Sequence, residues 1–364
     1  MKVGIIGAGQ LARMLVLAGT PLGMRFSTYD ASPEAPAGQL ATMTVGDFTD
    51  LDTVTAFARG VDVVTFDWEN VPVASARAAA RVARVRPSPG ALEVAQDRLD
   101  EKRLFDRLGI PVASHAAVAD LEGFRRAVSR VGLPGILKTR RLGYDGKGQA
   151  VVRRPSDLDR AWLALGGQPL IYEGMVNFDC EVSLVAARSR SGEMAFYPLT
   201  RNVHDHGILS VSRAPFARPA LQARAERQVG AIMQRLRYVG VLCVEFFVVG
   251  RQLLANEMAP RVHNSGHWTI EGADTSQFEN HLRAIAGLPL GSTRPRGHSV
   301  MVNCVGRMPP ARKLLGIRGL HLHDYGKSPR PGRKLGHLTF VGSSDREADR
   351  MARRLLDFTK PGGR

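Results

Sequence analysis

The chain has 364 residues, 44% of them hydrophobic and 23% charged, which suits two to three cored domains of ~150 residues each and is too apolar for a disordered chain. No apolar run reaches the about 18 residues of a membrane-spanning helix, and the longest, 239–249, is broken by Glu245, so no membrane partner is expected. Fifty basic against 34 acidic residues give +16, but 42 of the fifty are arginines scattered along the chain, with no basic tract, RNA-binding signature or Cys/His finger, so no nucleic-acid partner is expected either.

In chain order, residues 2–6 predict a first strand and not a signal peptide. Residues 10–18 predict a helix, with Leu11, Met14, Leu15 and Ala18 on one face. Strands follow at 25–29 and 61–66, with a helix near 51–58 between them, and Pro72 opens another helix to about residue 82 at its first turn. This alternation predicts an open parallel, Rossmann-like sheet, ended by Pro87-Ser88-Pro89-Gly90. Next come a helix at 97–108, strands at 135–139, 149–153, 169–173 and 179–187, and a long helix at 221–237. Apolar strands at 239–249 and 252–257 flank a short turn, and a helix spans 275–286. Strands at 299–304 and 334–341 and an amphipathic helix at 345–356 form a small β-rich C-terminal unit. The expected domains are 1–90, 91–295 and 296–364, α/β in class and α+β overall. Cys180, Cys243 and Cys304 are odd in number and far apart, which rules out a disulfide framework and fits a reducing cytoplasm.

Five segments carry chemistry. Gly7-Ala8-Gly9-Gln10-Leu11-Ala12, with Asp30 after the second strand, has the form of a dinucleotide turn. The same turn also serves any α/β domain that offers helix N–H groups to an anion. Gly143-Tyr144-Asp145-Gly146-Lys147-Gly148-Gln149 lies between two strands, so it is not a Walker loop; such a hairpin can fold over a triphosphate, with Lys147 and Lys138 as point charges. Between Gly306 and Gly336 eight basic residues, among them Lys327, Arg330, Arg333 and Lys334, face one acid, Asp324. The cluster suits the phosphate of a small anionic substrate, or forms a solvated face.

The fourth segment is the apolar hairpin. If its turn is Gly250-Arg251-Gln252, Val249 pairs with Leu253 and Glu245 falls opposite Glu257. Facing carboxylates in a buried sheet repel and need a partner. The partner is a divalent cation with oxygen ligands, a shared proton, or an arginine such as Arg261. In the fifth segment, 256–268, His263 and His267 lack a zinc-helix pattern, and Ser265 has no evident base beside it in sequence, so neither a zinc site nor a serine hydrolase is expected.

These segments, with Asp67-Trp68-Glu69-Asn70-Val71-Pro72 and Arg330-Pro331-Gly332-Arg333-Lys334, resemble the ATP-grasp superfamily and within it the N5-carboxyaminoimidazole ribonucleotide synthetase family. Ala12 stands where some relatives have glycine, and Asp67 where many have glutamate. The resemblance implies an ATP-dependent carboxylating ligase of purine biosynthesis. It implies that ATP, bicarbonate and 5-aminoimidazole ribonucleotide are converted, through carboxyphosphate, to N5-carboxyaminoimidazole ribonucleotide, ADP and phosphate, in a cytoplasmic homodimer. It implies ATP contacts from Arg98, Lys138, Gly143, Tyr144, Asp145, Gly146, Lys147, Gly148 and Gln149. It adds the linker Glu173, Gly174, Met175 and Val176, then Glu181, His204, Asn256 and Glu257. Glu245 and Glu257 would hold Mg2+, with Mn2+ as a substitute. Gln10, Glu69, Tyr144 and Asp145 would face the ribonucleotide, with Arg333 and Lys334 on its phosphate. Asp145, Arg261, His263 and Asn264 would serve the chemistry. A formate-using or biotin-carboxylating relative, and a non-enzymatic basic binding module, are the rival readings.

Overall fold

The structure, a computed structural model, describes residues 1–143 and 147–359. Tyr144, Asp145 and Gly146, expected at the nucleotide and the ribonucleotide, lie outside the described residues.

The first sheet is five-stranded and wholly parallel, in the order β3-β2-β1-β4-β5. It comprises β1 (Lys2–Ile6), β2 (Arg25–Asp30), β3 (Thr42–Val45), β4 (Val63–Phe66) and β5 (Arg84–Val85), joined through helices α1 (Gln10–Gly19), α2 (Leu51–Arg59) and α3 (Val73–Ala80). The open parallel sheet is as expected; β3 and β5 are too short to show periodicity in sequence. Pro72 is the N-cap of α3 and not its first turn. The Pro87–Gly90 punctuation opens a helix, α4 (Pro89–Gln96), because the Ser88 hydroxyl accepts from the Ala91 N–H at 3.3 Å.

Three N–H groups of the turn between β1 and α1 are taken by the chain's own carboxylates. The Gly9 and Ala12 N–H groups donate to the Asp67 carboxylate at 2.8 and 2.7 Å, and the Ala8 N–H donates to Asp30 at 2.7 Å. Two of the chain's own carboxylates therefore occupy the electropositive helix start. Gly9 is required there, since a Cβ would lie 2.3 Å from an Asp67 oxygen.

The second sheet is antiparallel, in the order β6-β9-β7-β8. Its chain order is α5 (Arg98–Arg107), β6 (His115–Val118), α6 (Leu121–Val131), β7 (Gly135–Thr139), β8 (Gln149–Val152), α7 (Leu158–Leu165) and β9 (Leu170–Gly174). The Asp97 carboxylate caps α5 through the Leu99 N–H at 3.0 Å and accepts both Arg140 donors at 2.8 Å, tying the helix to the glycine hairpin.

The third sheet has nine strands. Its path is β15-β14-β10-β12-β13-β16-β18-β17, with β11 paired to β10. The elements are β10 (Cys180–Arg188), β11 (Met194–Phe196), β12 (Thr200–Asp205), β13 (Ile208–Ala214), α8 (Pro219–Arg235), β14 (Gly240–Val249) and β15 (Gln252–Ala259). Then come α9 (Thr269–Gly272), α10 (Gln277–Ala286), β16 (His298–Val305), α11 (Ala311–Leu314), β17 (Leu320–Asp324), β18 (Lys334–Gly342) and α12 (Asp345–Thr359). The strands after residue 296 extend the central sheet, through the pairing of Val211 with Val302 and of Ala214 with Ser299. Among the described residues no helix is long and apolar enough to cross a membrane.

One core cluster joins the first and third sheets. Val3, Ile5 and Leu15 share it with Val241, Trp268, Phe278 and Leu282; each large side chain buried in this way contributes about 1.5–3 kcal/mol. Inside the seam His281 accepts from the Val241 N–H at 3.0 Å on Nδ1, so its other nitrogen, 2.8 Å from the Thr65 hydroxyl, carries the proton. Burial lowers the His281 pKa from 6.5 to about 4. The unfolded chain binds this proton between those values and the folded chain does not. Stability is therefore intact above pH 6.5 and is lost as pH falls towards 4, by up to ~3 kcal/mol from this residue. Melting temperatures at pH 7 and pH 5 should differ less for His281→Gln than for the native chain; equal differences would contradict the assignment.

Candidate active site

The carboxyl ends of the first sheet, the glycine hairpin, the face of β10, β12, β14 and β15, and the 327–334 segment enclose one cavity of about 1000 Å³. It gathers Arg98, Lys138, Gly143, Lys147, Gln149, Glu181, His204, Glu245, Asn256 and Glu257. It also gathers Gln10, Glu69, Arg261, His263, Asn264, Arg333 and Lys334. Gly148, Glu173, Gly174, Met175 and Val176 do not line it. Gly148 is held by the Thr139 N–H, which donates to its carbonyl at 2.8 Å, and its φ of +70° with Thr139 Oγ1 alongside admits no side chain. Glu173 and Gly174 are the last residues of β9 and not linker; the Gly174 and Met175 N–H groups donate to the Ser114 and Pro134 carbonyls.

The facing glutamates are present, but by a different route from the one expected. The turn has two residues, so Val249 pairs with Gln252, and that register would set Glu245 opposite Asn256. A β-bulge between Phe246 and Glu245 takes up Asn256 and puts Glu257 opposite Glu245. Arg261 does not neutralise the pair. It forms a short ion pair with Glu69 and donates to the Val262 carbonyl. The arginine at the pair is Arg98, whose Nη1 donates to Glu257 at 2.9 Å, while His263 Nε2 lies 3.6 Å from Glu245. Burial, and then the charge of Glu257, push the Glu245 pKa up, to about 7. Glu257 goes the other way: burial opposes ionisation, but Arg98 and then Lys138 hold its pKa low. Glu69 behaves like Glu257, brought down to about 2 by Arg261 against burial.

Beside this pair Lys138 donates to Glu173 at 2.9 Å. His204 Nδ1 meets the Glu181 carboxylate at 2.7 Å. Its pKa is raised: burial opposes the charged ring, but the Glu181 hydrogen bond and the nearby glutamates outweigh it. Asn264 exchanges hydrogen bonds with Asn303 at 2.7 and 3.1 Å. Ser265 does have a base: His263 Nδ1 is 2.8 Å from its hydroxyl. No substrate reaches it, because the residue is 0% exposed and its oxygen accepts from Ser183 at 2.7 Å. The serine anchors the ring from behind.

Several participants were not singled out for the site. Lys327 donates to Gln10 across the cavity, and its pKa is lowered to about 8, by burial first and the neighbouring Arg333 and Lys334 among other charges. Its place in the basic cluster was the available signal. Glu101 and Lys102, wholly buried under the carboxylate pair, gave none, since charged residues on a helix ordinarily read as a solvated face.

Two facing carboxylates, a lysine-bearing strand and a glycine hairpin around one cleft define the ATP-grasp class, and a family model described as the ATP-grasp domain matches residues 103–278. Two others, the ribonucleotide synthetase preATP-grasp domain and the phosphoribosylaminoimidazole carboxylase C-terminal domain, match 1–96 and 299–351. The chain is 52% identical over 339 residues to the N5-carboxyaminoimidazole ribonucleotide synthase of Pseudomonas aeruginosa, covering 93% of this chain and 94% of that one. The crystal structure of N5-carboxyaminoimidazole ribonucleotide synthetase from Thermus thermophilus superposes with a TM-score of 0.95 at 53% identity, over 99% of both chains. That of the N5-carboxyaminoimidazole synthase of Aspergillus clavatus, in complex with ADP and 5-aminoimidazole ribonucleotide, gives 0.92 at 30% identity over 98% of both. The chain belongs to the N5-carboxyaminoimidazole ribonucleotide synthase family.

Proposed function

We propose that this chain is an ATP-dependent ligase that carboxylates 5-aminoimidazole ribonucleotide to N5-carboxyaminoimidazole ribonucleotide in purine biosynthesis, with bicarbonate as the carbon source and carboxyphosphate as the intermediate. The observation that carries it is one cavity with a carboxylate pair and Lys138 on one wall and the Lys327, Arg333 and Lys334 cations on the other. The first wall suits a nucleotide triphosphate, the second a ribonucleotide phosphate. That the Aspergillus clavatus enzyme is found in complex with ADP and 5-aminoimidazole ribonucleotide supports these two classes of ligand.

The donor set fits magnesium: two hard carboxylates converge, with Arg98 on one of them and a neutral His263 beside the other, its pKa brought down to about 3 by burial and then by Arg261. Glu245 and Glu257 would hold the ion, which when bound neutralises charge on the phosphates as phosphoryl transfer proceeds. Lys138, Lys147 and the hairpin residues Gly143, Gly148 and Gln149, together with Tyr144, Asp145 and Gly146, would cover the phosphates. By the family resemblance the segment Glu173, Gly174, Met175 and Val176 would border the base, although the Gly174 and Met175 N–H groups are already bonded to Ser114 and Pro134. Glu181, held by His204, would take the ribose, with Asn256 beside it. Arg261, fixed by Glu69, presents a planar fork that matches bicarbonate or carboxyphosphate. His263 carries its proton on Nε2, because Nδ1 accepts from the Ser265 N–H at 3.3 Å and faces its hydroxyl. It therefore donates toward the reacting oxyanion, alongside Asn264. Gln10 and Glu69 would orient the imidazole, and Asp145 would take the proton lost by its amine. Closing the cleft keeps water from the labile intermediate.

The proposal includes a domain division at 1–90, 91–295 and 296–364, a homodimer, and a cytoplasmic location. The location follows the odd number and wide spacing of Cys180, Cys243 and Cys304, which are unbridged among the described residues; the dimer follows the family resemblance, and sedimentation should give twice the 39.6 kDa chain mass. In a coupled ADP assay, release should require ATP, bicarbonate and the ribonucleotide together. Formate replacing bicarbonate, or release indifferent to the ribonucleotide, would overturn the reading.

A further inference from the structure

We infer that Glu101 and Lys102 are positioning residues, which fix the β15 bulge and thereby place Glu257 on the nucleotide face of the sheet. The inference rests on the proposed role of Glu257. The register set by the two-residue turn would pair Glu257 with Val244, on the face where Val244, Phe246, Val248, Leu253 and Ala255 pack into an apolar core. A carboxylate there would be buried without a partner. With Asn256 taken up as the extra residue, Met258 faces Val244 and enters that core, while Glu257 emerges into the cavity.

A bulge disrupts the ladder, and β15 is an edge strand, so its outward groups need partners. They come from α5 and the segment after it. Lys102 Nζ donates to the Asn256 carbonyl at 2.7 Å and lies 3.4 Å from the Ala255 carbonyl. The Glu101 carboxylate accepts from the Met258 N–H at 2.6 Å. The Ala255 N–H donates to the Pro111 carbonyl at 2.7 Å. Glu101 and Lys102 are 2% and 1% exposed. Burying a polar side chain is costly unless its hydrogen-bonding groups are matched. These two side chains match, donor for acceptor, the groups on either side of Glu257. Lys102 also stands 3.9 Å from Glu173, the partner of Lys138, so one buried lysine braces both halves of the nucleotide wall.

The test is binding of Mn2+ in the presence of ADP, followed by electron paramagnetic resonance on the full chain, with melting curves alongside. Lys102→Met and Glu101→Ala are expected to weaken Mn2+ binding at least tenfold, with the KM for the ribonucleotide changed less than twofold. Glu101→Gln keeps an acceptor for the Met258 N–H and is expected to retain native affinity. Glu257→Ala is the reference: if it leaves Mn2+ binding intact, the assignment of Glu257 to the metal fails. If Glu257→Ala weakens binding while a folded Lys102→Met or Glu101→Ala does not, the positioning role is overturned and that assignment stands. Should both variants fail to fold, hydrogen exchange in the native chain decides. The Met258 amide should exchange as slowly as amides in the central strands, and rapid exchange would remove the Glu101 contact on which the inference stands.

Discussion

Replacing Glu257 by glutamine is expected to lower turnover by about a thousandfold, ~4 kcal/mol of barrier, while leaving the melting temperature unchanged or higher. The two effects have one origin. Glu257 faces Glu245 across the hairpin, and their repulsion is offset in the free protein by the charge of Arg98. An amide of the same shape removes the repulsion and keeps an oxygen for Arg98, so folding loses little. It also removes half of the anionic seat on which charge neutralisation at the phosphates depends. Activity at saturating ATP and magnesium, measured beside a thermal melt, checks both halves. A loss of less than about tenfold would show that the pair is not a metal seat; a collapsed melt would show that Glu257 is structural.

Lys138→Met is expected to reduce kcat/KM for ATP by about a hundred- to a thousandfold, with the KM for the ribonucleotide little changed. Lys138 Nζ sits between Glu173, at 2.9 Å, and the cavity. Its removal leaves Glu173 with Lys102 at 3.9 Å and with a second carboxylate oxygen, Oε1, that has no partner among the described residues. The fold should survive with a cost of about 1–3 kcal/mol. Stopped-flow binding of a fluorescent ATP analogue separates the readings, since unchanged nucleotide affinity would move Lys138 out of the triphosphate site.

Much of this site was legible because its chemistry conflicts with its surroundings. A glutamate inside the apolar 239–249 run, and glycines around a lysine between strands, are hard to explain as packing. The facing of Glu245 and Glu257 was anticipated, yet through a three-residue turn. A two-residue turn with a bulge gives the same pairing, and a sequence does not display a bulge unless a glycine marks it. Helices α6 and α7 went unread although Leu121, Phe124, Val128 and Val131, and Leu158, Ala161, Trp162 and Leu165, stand at helical spacing, and strands β12 and β13 went unread with them. Glu101, Lys102 and His281 were invisible in sequence. Charged and imidazole side chains on helices default to solvent, and only the tertiary fold brings Asn256, Met258 and Thr65 to them.

The pairing of β13 with β16 has a practical consequence for recombining members of this family. Because the wall that carries the glutamates and the wall that carries Arg333 and Lys334 hang from one hydrogen-bonded ladder, a chimera joined near residue 295 inherits a strand register as well as a sequence. A donor segment slipped by one position against Val211 would turn the 299–305 strand inside out and carry Arg333 and Lys334, at the start of the paired strand β18, away from the glutamates. Exchanges between relatives should therefore be cut in the loops on either side of the ladder, with β13 and β16 kept from the same parent.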